Sequence, residues 1–326
     1  MNICNEDELK KKNVNKGYNE NNDGDNYSTA GSDNQINKEN ISIEELKSNV
    51  KNAKEYMDDI FQNLIEEEKT QINNINSNYF KYQPEITPYM RSILIDWIID
   101  VSRQFKFKEE TLYSAIYLID AYLSKKYIKK RNFQLLGISS LLIASKLNEI
   151  YLREISDYSD ITYNTYNVQD IKIMEKDILK TLNFDVLIPT TLSFYEILSQ
   201  KLGISDDINK FKFGEFLMQS FLINNISINY SSSTIAYATC YIIAKFCKIS
   251  NYRIIFDNNN LFNIKINIYN NNNNNNNNYS EEYIIKDCAK KICETIAEII
   301  NSTLNSTVNK YSDNVFFNNI KNNFRS

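Results

Sequence analysis

Residues 133–148, FQLLGISSLLIASKLN, are apolar nearly all round when wound into a helix. Large side chains (Leu135, Leu136, Ile138, Leu141, Leu142, Ile143) interleave with small ones (Gly137, Ser139, Ser140, Ala144, Ser145). Such a helix has no face for water. It must sit among other elements, with its small residues admitting close neighbours. The whole chain holds six glycines and three prolines in 326 residues. That scarcity disfavours Gly-rich turns between short strands. With long segments of helical period, it predicts an all-α fold.

Helical stripes flank this segment. Met90, Ile93, Leu94, Trp97, Ile98 and Val101 recur at i, i+3, i+4, i+7, i+8 and i+11. Thr87 offers an N-cap oxygen before them, and Pro88 suits the first helical position, where no N–H is needed. A second helix is predicted over 109–123, with Leu112, Ala115, Ile116, Ile119 and Leu123 on one face. A short one lies near 152–158, and a fifth over 168–182 turns Ile171, Met174 and Ile178 inward. The architecture then repeats, with helices over 192–201, 208–226, 231–247 and 280–300. The segment 231–247 again mixes small residues (Ser232, Ser233, Ala236, Ala238, Ala244) with Ile235, Tyr241, Ile242 and Ile243.

These patterns divide the chain. Residues 1–41 carry too few large apolar side chains to offset their ordering entropy and read as a disordered tail. Residues 42–86 read as a helix opening on a Ser42-Ile43-Glu44-Glu45 capping box, striped by Leu46, Val50, Ala53, Met57, Ile60 and Leu64, followed by a polar linker over 68–86. One helical domain is expected over 87–187 and a second over 188–305, the latter interrupted at about 251–279 by an Asn-rich insertion. Residues 306–326 form a polar tail in which Val315, Phe316 and Phe317 are the exception.

The chain has no histidine, which excludes Ser-His and Cys-His catalysis and disfavours zinc. Cys4, Cys240, Cys247, Cys288 and Cys293 form no Cys-x-x-Cys pair, an odd set that reads as buried thiols in a reducing compartment. The formal net charge of −4 offers no nucleic-acid footprint, and Lys10-Lys11-Lys12 reads as a solvated tail cluster. No apolar run is long enough to span a bilayer. No phosphate-cradling Gly-rich loop or metal-spaced ligand set is present. The expectation is a chain that is no enzyme and uses no cofactor, nucleic acid or membrane.

Several motifs, taken in order, resemble the mitotic A/B-type cyclins over about Ser42 to Phe317. Residues 90–97, MRSILIDW, look like that family's Met-Arg-x-Ile-Leu-x-Asp-Trp. Residues 118–124, LIDAYLS, are similar to its second-helix segment, and residues 144–151, ASKLNEIY, to the end of its central helix. Met174-Glu175 followed by Leu182-Asn183-Phe184-Asp185 matches its fifth helix and exit, and Lys310-Tyr311-Ser312 a C-terminal element. The resemblance implies two tandem five-helix cyclin folds. It also implies a regulatory subunit that binds and activates a cyclin-dependent Ser/Thr protein kinase in cell-cycle control, in nucleus and cytoplasm. The alternative is a cyclin-fold transcriptional regulator, a transcriptional cyclin or an initiation factor.

Carried over by residue, Lys146 and Glu175 match the family's kinase-contacting pair, with Leu147, Glu149, Ile150, Leu179, Phe184 and Val186 beside them. Arg91 and Asp120 match a structural ion pair joining the first two helices. Met90, Ile93, Leu94, Trp97, Asp100, Val101 and Gln134 match a patch that docks Arg-x-Leu peptides of substrates and inhibitors. A core role competes with docking for that stripe. Lys38-Glu39-Asn40 reads as a KEN degron for the mitotic ubiquitin ligase, against chance occurrence in a chain rich in these residues.

Overall fold

The computed structural model describes residues 43–71, 74–249 and 280–323, with side chains described over 56–71, 74–249 and 280–319. Residues 1–56 and 57–326 are separate units, and the packing below belongs to the second. The expected Ser42 cap, the tripeptide 38–40, Lys10–Lys12, Cys4 and the insertion at 251–279 lie outside the described residues. Helix α1 spans Ile43–Gln71. The first fold consists of α2 (Pro88–Phe105), α3 (Glu109–Lys125), α4 (Phe133–Asn148), α5 (Ile155–Asp160) and α6 (Val168–Thr181). The second comprises α7 (Thr191–Lys201), α8 (Ile208–Ile223), α9 (Ser232–Phe246) and α10 (Glu281–Ile300), closed by α11 (Ser306–Lys310) and α12 (Val315–Asn323). No strand occurs among the described residues. Residues 250–279, between α9 and α10, lie outside the described residues.

Helix ends follow local chemistry. Thr87 Oγ1 accepts from Met90 N with Pro88 in the first turn, as the sequence predicts. Asn167 and Asp170 form a reciprocal capping box on α6, and Ser280 caps α10. Helix α4 is buried from Phe133 through Ser145 except at Gln134, and packs against α2, α3 and α6. Its small residues matter sterically: a Cβ on Gly137 would lie 2.7 Å from Leu94 Cδ1. Helix α9 repeats this role among α7, α8 and α10. A tighter approach occurs at Gly214 of α8, where a Cβ would lie 2.0 Å from Tyr195 Oη and 2.9 Å from Ile243 Cδ1. Overpacking of this kind costs about 1–3 kcal/mol. Gly214→Ala is therefore expected to lower the urea midpoint of unfolding, and an unchanged midpoint would contradict the packing.

Over residues 56–71 the inward stripe of α1 differs from the sequence expectation, while Leu46, Val50 and Ala53 lie outside the described side chains. Phe61, Ile65 and Glu68 are buried, whereas Ile60 is 49% exposed and Met57 and Leu64 lie at the border. Phe61 packs edge-on against Phe194 (5.5 Å) and Tyr237 (6.0 Å). Glu68 accepts from Ser233 N (2.9 Å) and Ser233 Oγ (2.5 Å) at the start of α9. A carboxylate there meets unpaired N–H groups and the positive end of the helix dipole. This contact fixes α1 one residue round from the predicted stripe.

Residues 74–86 are a strap more than a linker. Tyr79, Gln83 and Ile86 are buried. Gln83 donates to the carbonyls of Leu123 (2.7 Å) and Lys126 (2.8 Å), satisfying the C-terminus of α3. Tyr79 Oη donates to Asp120 Oδ1 (2.9 Å). Asp120 is also gripped by Arg91 through Nε (2.7 Å) and Nη2 (2.6 Å), while Arg91 Nη1 donates to Leu222 O (3.0 Å) in the second fold. Strap, α2, α3 and α8 thus meet at one fully buried guanidinium. Burial alone would lower the pKa of Arg91, but Asp120 more than reverses that and holds it above its ordinary value.

Residues between 306 and 317 contribute to the second fold's core. Tyr311 and Phe317 are buried, and Phe317 lies 4.6 Å from the Phe216 ring. Lys310 Nζ reaches back to Glu109 Oε2 (2.6 Å) and Gln219 Oε1 (3.1 Å), tying α11 to both folds. Beside this cluster, burial and the neighbouring Glu109 push the Glu215 carboxyl up to about 7, against the pull of Lys310 and Lys212. An unfolded glutamate loses its proton at lower pH. The stability that protonated Glu215 supplies is therefore present in full below about pH 4.5 and lost as pH rises toward 7. Glu215→Gln should then flatten the pH dependence of the urea midpoint and stabilise at pH 8 more than at pH 5. An equal shift at both pH values would contradict this.

Candidate functional site

Lys146 ends the buried run of α4, and Glu175 stands midway along α6. The packing of these helices brings Lys146 Nζ within 2.5 Å of Glu175 Oε1. The lysine side chain is 40% exposed and the carboxylate 15%. The contact uses one of three ammonium donors and one of two carboxylate oxygens, so both groups keep bonding capacity for a second molecule. An exposed pair of this kind contributes little to folding.

Apolar side chains stand in water along the segments that leave these helices. Leu147 is 39% exposed, Ile150 77%, and Phe184 68%. Phe184 is held there by strained backbone. Helix α6 ends with Asn183 at φ +53° and a Phe184 N to Leu179 O bond of 2.8 Å, an arrangement usually supplied by glycine. Phe184 itself follows at φ +60°, a region bulky residues avoid. The exit loop is anchored to α1 and the strap. Gln71 donates to Leu187 O (2.9 Å), and Asn74 donates to Asp185 Oδ2 (3.1 Å). Large apolar groups exposed together at fixed positions mark an interaction surface.

The structure redistributes the remaining predicted contacts. Leu179 is half-buried and Val186 buried, so Val186 supports the exit loop from below. Glu149 is occupied elsewhere: its Oε1 accepts from Lys108 N (2.7 Å) and Thr111 Oγ1 (2.5 Å), capping α3. Asn148 Nδ2 donates to Ser114 Oγ (3.1 Å). Both turn inward because the C-terminus of α4 lies against the start of α3. Leu187 (72% exposed), Tyr151 (89%) and Leu152 (58%) join the apolar surface without having been predicted. They sit in loops, where no period points to them.

The second expected surface is divided. Leu94 and Val101 are buried at 2% and 1% exposure, Leu94 beneath Gly137, so they belong to the core. Met90, Ile93, Trp97, Asp100 and Gln134 are half-buried. The Asp100 carboxylate is already engaged by Arg103 (2.5 Å) and Gln104 (3.2 Å). The Arg91–Asp120 pair forms as expected, and Tyr79 is the partner that the sequence did not reveal.

Comparison with known families gives matches to the cyclin N-terminal domain over residues 59–187 and the cyclin C-terminal domain over residues 189–322. A "G2/mitotic-specific cyclin-B" of Hydra vulgaris is 37% identical over 214 residues, covering 66% of this chain and 58% of that protein. A "G2/mitotic-specific cyclin-B1" of Caenorhabditis elegans is 42% identical over 149 residues, covering 46% of this chain and 40% of that protein. A "G2/mitotic-specific cyclin-A" of Patella vulgata is 38% identical over 186 residues, covering 57% of this chain and 43% of that protein. The chain thus spans about half the length of the curated relatives it matches. Among solved structures, a viral cyclin from herpesvirus saimiri shares the fold, with a TM-score of 0.56 at 17% identity over 72% of this chain and 97% of that one.

Proposed function

Because the chain belongs to the cyclin family, we propose that it is a regulatory subunit that binds and activates a cyclin-dependent Ser/Thr protein kinase in G2/mitotic control. The observation that carries this reading is the Lys146–Glu175 pair, set among exposed Leu147, Ile150 and Phe184 on rigid helix ends. A protein kinase transfers phosphate only when its Lys–Glu ion pair and activation segment are in place. A preformed apolar face, edged by one ammonium and one carboxylate, can hold the kinase's regulatory helix inward through main-chain carbonyls and amides. It shifts the kinase only by binding the active form better than the inactive one. The chemistry then belongs to the kinase. The relatives' G2/mitotic names favour this reading over a transcriptional regulator.

The same reading assigns Met90, Ile93, Trp97 and Gln134 to a shallow docking patch for Arg-x-Leu substrates or inhibitors. The peptide arginine must there displace Arg103 from Asp100. Lys38-Glu39-Asn40 serves in it as a degron for the mitotic ubiquitin ligase, and the protein works in nucleus and cytoplasm. The test is affinity purification of the tagged chain from its own cells, with mass spectrometry and kinase assay of the eluate. A co-purifying cyclin-dependent kinase with activity is expected, and its absence contradicts the proposal. In that complex, Met90→Ala/Trp97→Ala should slow phosphorylation of Arg-x-Leu substrates and spare a simple peptide. Equal losses on both would remove the patch.

A further inference from the structure

The two folds meet over the start of α3, and acids gather there. Glu109 and Glu110 stand in the first turn of α3, where the helix dipole favours negative charge. Each reaches a different helix of the second fold. Glu110 Oε1 accepts from Thr190 Oγ1 (2.7 Å) and Ser193 Oγ (3.4 Å) at the start of α7. Glu196 follows Ser193 by three residues, on the same side of that helix. Glu109 Oε2 accepts from Gln219 Nε2 (2.6 Å) on α8, and Glu215 precedes Gln219 by one turn on the same side. Four carboxylates thus border one cleft between α3, α7 and α8.

Neither charge nor hydrogen bonding balances there. Lys310 is already committed to Glu109 Oε2 (2.6 Å) and Gln219 Oε1 (3.1 Å). Lys212, exposed on α8, acts on Glu215 only at a distance. Among the described residues, no hydrogen bond or ion pair reaches the carboxylate of Glu196, exposed at the rim, or of half-buried Glu215. Two tyrosine hydroxyls are left over as well. Tyr113 is 3% exposed and Tyr311 6%, and neither Oη has a hydrogen-bond partner. Both face the acids. Burial raises the pKa of each, and Glu215 and Glu109 raise it further. Gln219 lies beside both hydroxyls, but its amide is already shared between Glu109 and Lys310. Buried polar groups left without partners are costly, and two at one spot mark a place for a further hydrogen-bonding group.

We propose that this cleft seats an arginine side chain from a basic segment of a partner polypeptide. The cleft is rich in acceptors, and its donors are mostly spent. A guanidinium supplies five N–H donors and a permanent positive charge. Its planar fork suits carboxylates set on two helices, here Glu215 on α8 and Glu196 on α7, with the Tyr113 and Tyr311 oxygens as acceptors at the floor. A metal ion fits less well, since among the described residues no three acids or thiols converge closely enough to ligate one. The inference does not rest on the kinase reading, because none of these residues belongs to the Lys146–Glu175 face.

The test uses the full chain and a fluorescent peptide, Gly-Ser-Arg-Arg-Ser-Gly, read by anisotropy at low salt. Its control carries citrulline for arginine, which keeps the shape and loses the charge. Saturable binding is expected, about tenfold weaker for the citrulline peptide. Glu196→Gln/Glu215→Gln should weaken it by about tenfold at unchanged helical content. Glu282→Gln/Glu294→Gln removes equal charge from the exposed side of α10 and should change it by less than about twofold. Affinity should also rise between about pH 6 and pH 8 as Glu215 gives up its proton, and Glu215→Gln should remove that rise. Glu215 is faced by Glu109, Glu196, Lys212, Lys310 and the hydroxyls of Tyr113, Tyr195 and Tyr311, and burial keeps those hydroxyls protonated over this range. Absence of saturation at about 1 mM peptide, equal binding of the citrulline peptide, or indifference to Glu196→Gln/Glu215→Gln would each overturn the proposal. So would thermal stabilisation by Mg²⁺ alone that the same double variant abolishes, which would assign the cleft to a metal ion.

Discussion

Lys146→Ala/Glu175→Ala is expected to abolish kinase association while leaving the chain folded. In the proposed complex each side chain makes charge-assisted bonds to kinase main chain, worth roughly 1.5–3 kcal/mol apiece where the interface is dry. Losing both amounts to about 3–6 kcal/mol, or on the order of 10²- to 10⁴-fold in Kd. The free chain loses only a partly exposed ion pair, with Lys146 40% accessible, so its unfolding midpoint should move little. Titration calorimetry with a purified kinase, paired with urea denaturation, separates the two effects. Unchanged affinity would remove Lys146 and Glu175 from the interface. A large fall in stability would assign them to the fold instead.

Arg91→Ala has the largest effect expected on folding. The guanidinium is fully buried, bidentate to Asp120, and bonded to Leu222 O across the two folds. Its removal strands the Asp120 carboxylate with the Tyr79 hydroxyl beside it but no counter-charge. Breaking one partner of such a pair costs about 3–5 kcal/mol. For folds of this size, Tm should fall by roughly 6–20 °C. Arg91→Lys should recover only part of this, since an ammonium cannot reproduce the planar fork. Arg91→Met/Asp120→Leu should be less damaging than Arg91→Ala, because no unpaired charge remains. Calorimetric scans of the three variants check the order. Equal losses for the single alanine and the apolar double variant would contradict the stranded-charge explanation.

Much of the helical framework can be read from local pattern. The bounds of α4 follow from its unbroken apolar run, and the start of α2 from Thr87 and Pro88, because both signals are local in sequence. Which face of a helix turns inward is harder. On α1, Ile60 and Phe61 are both apolar, and period alone cannot choose between adjacent stripes. The Glu68 contact to Ser233, 165 positions away, makes the choice. On α2, the stripe from Met90 to Val101 is wide enough to straddle core and surface. Leu94, Ile98 and Val101 go inside, while Met90, Ile93 and Trp97 stay at the border.

The site divides along the same line. The resemblance singles out Lys146 and Glu175, and the packing of α4 on α6 brings them together, which no periodicity predicts. Glu149 and Asp100 carry the right charge for the roles expected of them. Their partners, Lys108 and Thr111 for one and Arg103 for the other, are set by packing and by a helical neighbour. Tyr79 lay in a stretch that read as polar linker, yet it completes the Arg91–Asp120 cluster. Residues 306–319 read as a tail, but Lys310 and Phe317 find partners only once α8 and α3 are adjacent.

The most direct measurement is phosphotransfer by a purified, otherwise inactive cyclin-dependent kinase as the purified chain is titrated in, with a short peptide as acceptor. The account predicts saturable activation at a one-to-one ratio, absent from the chain alone and lost in Lys146→Ala/Glu175→Ala. No activation by the folded wild-type chain, or full activation by the double variant, would contradict it.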